Sequence, residues 1–337
     1  MDRIFNLAVR NRSLTKIAPS GAISFILIRF RAYYVVGIFY LSGAHLVPYA
    51  PEKGYATVMA NFVFLGGDMR TIASHAYLIE QGYDALILTT DTNENATVGD
   101  YLNFARSADV LILPAPLTRD GIYIRGTPGV DVSAVFSSLS PGTLVFSGAL
   151  PLPYRRMGIK QVNYSEDEKY ICEMAYITAE GTLGHILSDY GYVLRDARIV
   201  LIGWGRIAKR LYDMIIHFTK NIDIILRREE EIKKLRADGV TADNFSALEN
   251  ACAYADIIIN TVPSLVVNRD VISEMKPNAH LIDLASKPGG IDFNAAFEAG
   301  IEAVHLLALP GKCAPISAGI ALGKCIIENY EKYGGKL

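Results

Sequence analysis

The sequence predicts an α/β protein of two doubly wound parallel-sheet domains, joined by long connecting helices, and three observations predict it. Short, wholly apolar segments of strand length recur from Asn61 onward, separated by turns and by stretches of helical periodicity. Strands of this kind are buried on both faces, as in a parallel sheet between two helical layers. The pattern then restarts near Arg198 after one long helical segment, so a second sheet is expected.

Residues 1–57 stand apart from this pattern. Charged residues from Met1 to Arg31 are nearly all basic, and an uncharged aromatic run, AYYVVGIFYLSGAHLVPYA, extends from Ala32 to Ala50. Its length approaches the ~20 residues that span a bilayer, with basic residues on the side that would stay cytoplasmic. His45, Pro48, several tyrosines and two glycines argue against a membrane anchor, and the basic segment is too long for a simple signal peptide. The expectation is an appendage or upstream extension outside the fold proper, in a cytoplasmic protein.

Residues 58–190 are expected to form a flavodoxin-like N-terminal substrate domain with its connecting helix. NFVFLGGDMRTIASHAYLIEQGYDALILTTD reads as strand, glycine turn, helix, glycine stop and second strand. ADVLILPAP and TLVFSG add two strands, the latter after the Pro141-Gly142 turn. Ser165-Glu166-Asp167-Glu168 suits a helix N-terminus, and YICEMAYITAEGTLGHILSDYG continues as the connecting helix.

Residues 191–312 read as a Rossmann domain. RIVLI, IDIIL, DIIIN, HLIDL and EAVHLL are its strands, and a last helix from about Pro315 to Tyr330, within 313–337, is expected to return to the first domain. Between the first strand and its helix stands Gly203-Trp204-Gly205-Arg206-Ile207-Ala208, which has the G-x-G-x-x-G/A form in the required place. Gly203 permits the tight turn, Gly205 admits the pyrophosphate to backbone amides at the helix N-terminus, and Ala208 keeps helix and strand close. A nicotinamide dinucleotide is the expected ligand.

At the end of the second strand an acidic residue would bind a ribose 2′-hydroxyl, but Arg227 and Arg228 stand there. Two guanidiniums suit a 2′-phosphate, favouring NADP with NAD as the alternative; otherwise both are solvated and pair with Glu229 to Glu231. Thr261, Val262, Pro263 and Ala285, at carboxyl ends of later strands, are expected to flank the nicotinamide. Lys287 and Lys312 approach the same edge and suit a substrate carrying carboxylates.

Composition excludes other classes. A net charge of -2 over 337 residues leaves no basic stripe for nucleic acid. The four cysteines and six histidines form no metal-ligand spacing.

HLIDLASKPGGIDFNAAFEAGIEAVHLLALPGKCAPISAG, YSEDEKYICEMAYITAEG and FLGGDMR together resemble the family of the dipicolinate synthase A subunit, over about Asn61 to Tyr330. The resemblance implies an NADP-dependent oxidoreductase that forms dipicolinate from the dihydrodipicolinate branch of lysine biosynthesis during sporulation. It also implies a separate partner chain, the dipicolinate synthase B subunit; a homo-oligomer is expected as well. Residues before Val58 do not match the family's pattern.

Aromatising a cyclic imine dicarboxylate requires hydride removal, a base and cations for two carboxylates. Arg70, Arg119, Lys287 and Lys312 are the cation candidates. Asp283, Ser286 and Lys287 sit on the ligand edge, with Lys287 preferred because a neighbouring cation and partial desolvation lower a lysine's pKa. His75, His185, His280 and His305 fall within regular elements and read as structural. Two other functions fit the same chain: a hydroxy-acid or amino-acid dehydrogenase, and a non-catalytic nicotinamide-binding regulator.

Overall fold

The computed structural model describes residues 60–151, 154 and 159–333, with the strands β1 (Ser24–Phe30), β2 (Tyr33–Ser42) and β3 (His45–Pro48). The chain divides into two units, Met1–Val58 and Met59–Leu337. In the first, β1, β2 and β3 pair antiparallel in sequence order, with Leu27 opposite Val36 and Leu41 opposite Leu46. The described parts of the Ala32–Ala50 run are thus strands rather than a helix. No helix among the described residues is long and apolar enough to cross a membrane. The rest of the extension, including most of its basic residues, lies outside the described residues.

The second unit begins with β4 (Phe62–Leu65), β5 (Ala85–Leu88), β6 (Val110–Ile112), β7 (Leu144–Ser147) and β8 (Lys160–Asn163). They form one parallel sheet in the order β5-β4-β6-β7-β8, the flavodoxin-like arrangement. Successive side chains point to opposite faces, which explains why the central strands β4 and β6 are apolar throughout, whereas the edge strand β8 reads KQVN. Phe62, Phe64, Val110, Ile112, Leu144 and Phe146 fill one core, while Val63, Leu65, Leu111 and Val145 fill the other. Helices α1 (Met69–Glu80), α2 (Val98–Ser107) and α3 (Val132–Ser138) cover the two faces.

The long helix α4 (Glu168–Asp189) starts at Asp167, whose carboxylate accepts from the Tyr170 amide at 3.0 Å. Tyr164, just before it, and Tyr170 pack into the first core, whereas Ala179 and Ile186 belong to the core of the second sheet. One helix therefore serves both sheets.

That second sheet contains β9 (Ile199–Ile202), β10 (Ile222–Ile225), β11 (Thr241–Asp243), β12 (Ile257–Asn260), β13 (His280–Asp283) and β14 (Glu302–His305). All pairs are parallel, in the order β11-β10-β9-β12-β13-β14, as in a dinucleotide-binding Rossmann sheet. Ile199 and Leu201 face one core and Val200 and Ile202 the other. Around the sheet lie α5 (Arg206–Ile215), α6 (Glu229–Ala237), α7 (Leu248–Ala253), α8 (Arg269–Ser273) and α9 (Phe293–Glu298).

After β14 the chain makes α10 (Leu309–Cys313) and α11 (Pro315–Lys332). Leu322, Cys325, Ile326 and Tyr330 of α11 complete the first-domain core, with the Tyr330 and Phe62 rings edge-to-face at 4.9 Å. Two glycines one turn apart allow this approach. A Cβ on Gly319 would lie 2.5 Å from the Arg70 carbonyl oxygen, and one on Gly323 would lie 2.6 Å from the Tyr77 ring. The last helix thus ties the second domain back onto α1.

Candidate active site

The second sheet ends in a cradle built from glycines. Gly203 has φ +97°, a left-handed backbone, and a Cβ there would collide with the Thr261 hydroxyl. Thr261 is fixed in turn by donating its hydroxyl hydrogen to the Ile202 carbonyl at 2.8 Å. Gly205 has an ordinary φ of −86° and open space where its Cβ would be. It is also the N-cap of α5 and offers no side chain to the first amides of that helix. Open space, free N–H groups and the positive end of a helix dipole together fit a pyrophosphate. Ala208 is fully buried against the sheet, as the motif requires.

Other side chains of the motif point elsewhere. Arg206 makes paired hydrogen bonds of 2.8 and 2.6 Å to Glu168 on α4. Trp204 packs edge-on against Tyr212 with Lys209 above its ring, and Ile207 packs against the core. Arg227 and Arg228 are exposed beyond β10, and Arg228 lies 3.4 Å from Glu231.

Asp283 occupies a different position from the one expected of a catalytic group. It is fully buried, and its Oδ1 accepts from Asn260 Nδ2 at 2.8 Å and from the Ala285 amide at 2.9 Å. Its Oδ2 accepts from the Gly290 amide at 2.7 Å. Every hydrogen bond shown to the carboxylate is internal, so Asp283 acts as a knot that positions the loop carrying Ser286 and Lys287. Gly290 must be glycine, because a Cβ there would meet the Ser264 carbonyl oxygen at 2.7 Å and press on Val262 and Asn260. The DLASKPGG segment therefore brings β13 and the Thr261-Val262-Pro263 turn into contact. Ser286 and Lys287 are exposed at its rim. His305 is tied by Nε2 to the Ala285 carbonyl at 2.7 Å.

LPGKCAPISAG carries the chain across to the first domain. Ala308, at the start of α10, has φ +58°, and it is the one non-glycine with a left-handed backbone among the described residues. This costs roughly 1 kcal/mol or more and sets the direction of α10. Gly181 of the TAEG segment makes room for α10, since a Cβ there would lie 2.7 Å from Cys313 Sγ. Gly311 is set against Arg70, with 3.2 Å between its Cβ position and Arg70 Nε, while Lys312 beside it is exposed.

Arg70 is held by the turn that begins its own helix. Its Nε and Nη2 donate to Asp68 at 3.0 and 2.9 Å, and Nη2 also reaches the Ala115 carbonyl at 3.2 Å. Burial by itself would raise the Asp68 pKa, but the Arg70 hydrogen bonds and the charges of Arg70 and Arg125 hold it down at about 2.

Arg125 is the residue that sequence reasoning missed. It donates from Nη1 to Asp68 Oδ2 at 2.8 Å and from Nη2 to the Ala115 carbonyl at 3.3 Å. Arg119, on the same excursion between β6 and α3, is exposed instead. The signal lay in Gly66, Gly67 and Gly126, which let two loops touch: the Gly67 amide donates to the Arg125 carbonyl at 2.7 Å.

Fold and site together define a dehydrogenase-like protein built on a nicotinamide dinucleotide-binding domain. Residues 171–298 match the family model of the D-isomer specific 2-hydroxyacid dehydrogenase NAD binding domain. Over a longer span the chain is similar to the dipicolinate synthase A subunit of Bacillus subtilis (strain 168), at 25% identity over 284 residues, 78% of this chain and 93% of the relative. The crystal structure of the dipicolinate synthase A chain from Bacillus subtilis superposes with a TM-score of 0.71 at 24% identity, covering 82% of this chain and 97% of that one. The corresponding dipicolinate synthase structure from Bacillus halodurans gives 0.70 at 23% identity, covering 80% and 97%. The resemblance carried by DLASKPGG, LPGKCAPISAG and TAEG is borne out along most of the chain.

Proposed function

We propose that this chain is the A subunit of a dipicolinate-forming oxidoreductase, which takes a hydride and a proton from dihydrodipicolinate, formed from hydroxy-tetrahydrodipicolinate, to give the aromatic product. The observation that carries the reading is the close approach of Arg70 to Gly311, where an added Cβ would lie 3.2 Å from Arg70 Nε. It sets a guanidinium of the first domain against the ligand edge of the second, where a dicarboxylate would lie beside the cofactor.

A bound nicotinamide supplies the hydride acceptor. Gly203, Gly205 and Ala208 make room for the dinucleotide, the α5 amides bind its pyrophosphate, and Thr261, Val262, Pro263 and Ala285 line the edge beyond. Arg227 and Arg228 favour NADP over NAD by offering a 2′-phosphate two guanidiniums. Arg70 and Lys312 bind substrate carboxylates from opposite domains, with Arg119 at the rim. Lys287 takes the ring proton, assisted by Ser286, and Asp283 holds their loop.

By the resemblance, the chain works with a B subunit in a sporulating cell, and we expect it to do so as a homo-oligomer in the cytoplasm. The test is to supply the purified protein with NADP+ and enzymatically generated dihydrodipicolinate, with and without a candidate B subunit. NADPH and pyridine absorbance should rise together. NADPH formation from hydroxy or amino acids alone would overturn the reading.

A 2-hydroxyacid dehydrogenase is the second reading, favoured by the matched NAD binding domain. That chemistry calls for a histidine acid and base, and His305, the histidine of that edge, already has Nε2 engaged by a backbone carbonyl.

A further inference from the structure

Two guanidiniums converge on one carboxylate at the carboxyl ends of β4 and β6. Asp68 follows β4 and Ala115 follows β6, and from these adjacent strands the sheet extends in opposite directions. This is the topological switch point of the first domain, the crevice where open α/β sheets bind ligands.

The charges there do not balance. Asp68 carries one negative charge, against which Arg70 and Arg125 place two positive ones, on side chains only 16% and 14% exposed. The neighbouring tyrosines supply no compensation: burial pushes Tyr170 up to about 12, and the Tyr164 hydroxyl donates to the Leu113 carbonyl at 2.8 Å. Arg125 Nε is buried with no hydrogen-bond partner among the described residues. A structural ion pair needs one arginine. An excess cation in a largely dry site is unfavourable until an anion joins it. Asp68 is 34% exposed, so the cluster is open to solvent on one side, and Arg70 there lies close to Gly311 of the second domain, where no Cβ intervenes.

We propose that Arg125 and Arg70 form a subsite for one carboxylate of the substrate, with Asp68 orienting both guanidiniums, and that Arg125 determines the preference for a dicarboxylate. Planar guanidiniums bind a carboxylate through paired, charge-assisted hydrogen bonds, which explains a second arginine where a lysine would supply the same charge. The inference rests on the dicarboxylate reading above for its ligand, but it concerns binding and not turnover.

The experiment is calorimetric titration of the full chain, saturated with NADP+, with pyridine-2,6-dicarboxylate and with pyridine-2-carboxylate, for wild type, Arg125→Met and Arg125→Lys. Wild type should prefer the dicarboxylate. Arg125→Met should weaken its binding by about tenfold or more and erase the preference, with NADP+ affinity changed less than about twofold. Arg125→Lys keeps the charge and should recover part of the affinity; it carries the test if Arg125→Met fails to unfold cooperatively. Equal dicarboxylate affinity in wild type and a folded variant, or no carboxylate binding by wild type, overturns the subsite. Arg125-dependent binding without dihydrodipicolinate turnover keeps the subsite and rejects the reaction. Turnover with an unchanged KM in the variants does the reverse.

Discussion

Asp283 Oδ1 accepts a hydrogen bond from Asn260 Nδ2 at 2.8 Å, across the β12–β13 pair in which the two residues stand in register. The other bonds of this carboxylate come from the Ala285 and Gly290 amides, so every partner is a donor. Asp283→Asn would be nearly isosteric, yet its NH2 would have to face one of those donors. The expected loss is about 3 kcal/mol of stability, because a buried N–H would lose its acceptor. Urea denaturation measures it. A loss below about 1 kcal/mol would mean that the knot does not hold the loop.

Gly203 and Gly205 should respond differently to the same substitution. Gly203→Ala places a Cβ on a left-handed backbone and against Thr261, so the apo protein should lose about 1–3 kcal/mol. Gly205→Ala meets no atom and keeps a favourable φ, so apo stability should stay within about 0.5 kcal/mol. Its effect should appear on the dinucleotide, whose affinity is expected to fall about tenfold or more as the methyl occupies the pyrophosphate's approach. Thermal unfolding and NADPH fluorescence titration separate the two. Tight NADPH binding by Gly205→Ala would exclude the cradle as the dinucleotide site.

These contrasts mark what the sequence made legible. The central strands were plain because strands buried on both faces are apolar along their length, as IVLI is throughout and as IIIN is up to Asn260 at its carboxyl end. The edge strands β8 and β11, reading KQVN and TAD, escape that pattern because an edge is partly solvated. The G-x-G-x-x-A turn was legible because a local backbone requirement fixes its residues. The partnership of Asp68 with Arg125 was not, since it depends on two glycine turns brought together by the sheet order. Asp283 looked catalytic for a related reason: its place at a strand end was visible, but the donors that enclose it come from Asn260 and a loop that folds back.

The cofactor preference is tested at Arg227 and Arg228. Arg228 is itself exposed and reaches the half-buried Glu231 at only 3.4 Å, a pair worth little to stability, so the double alanine variant should fold normally. Loss of charge-assisted bonds to a 2′-phosphate should raise the KM for NADP by about tenfold or more, with that for NAD changing less than about threefold. Steady-state kinetics with both cofactors decide the matter. Equal changes would reject the 2′-phosphate assignment.

Acid should expose the contribution of Asp68. Its pKa in the folded protein, about 2, lies below the ordinary value of 3.8, so folding favours the ionised form. The stabilisation is therefore essentially complete above about pH 4.5 and is lost as pH falls through the folded value. Asp68→Asn mimics the protonated carboxyl at every pH. The difference in melting temperature between wild type and Asp68→Asn should be constant from pH 6 to about 4.5, then shrink steadily toward pH 2.5 as the wild-type carboxylate takes up its proton. Circular dichroism melts at stepped pH measure this directly. A difference that persists undiminished at pH 2.5 would locate the effect in the capping geometry of α1 instead of in the charge that Asp68 sets between Arg70 and Arg125.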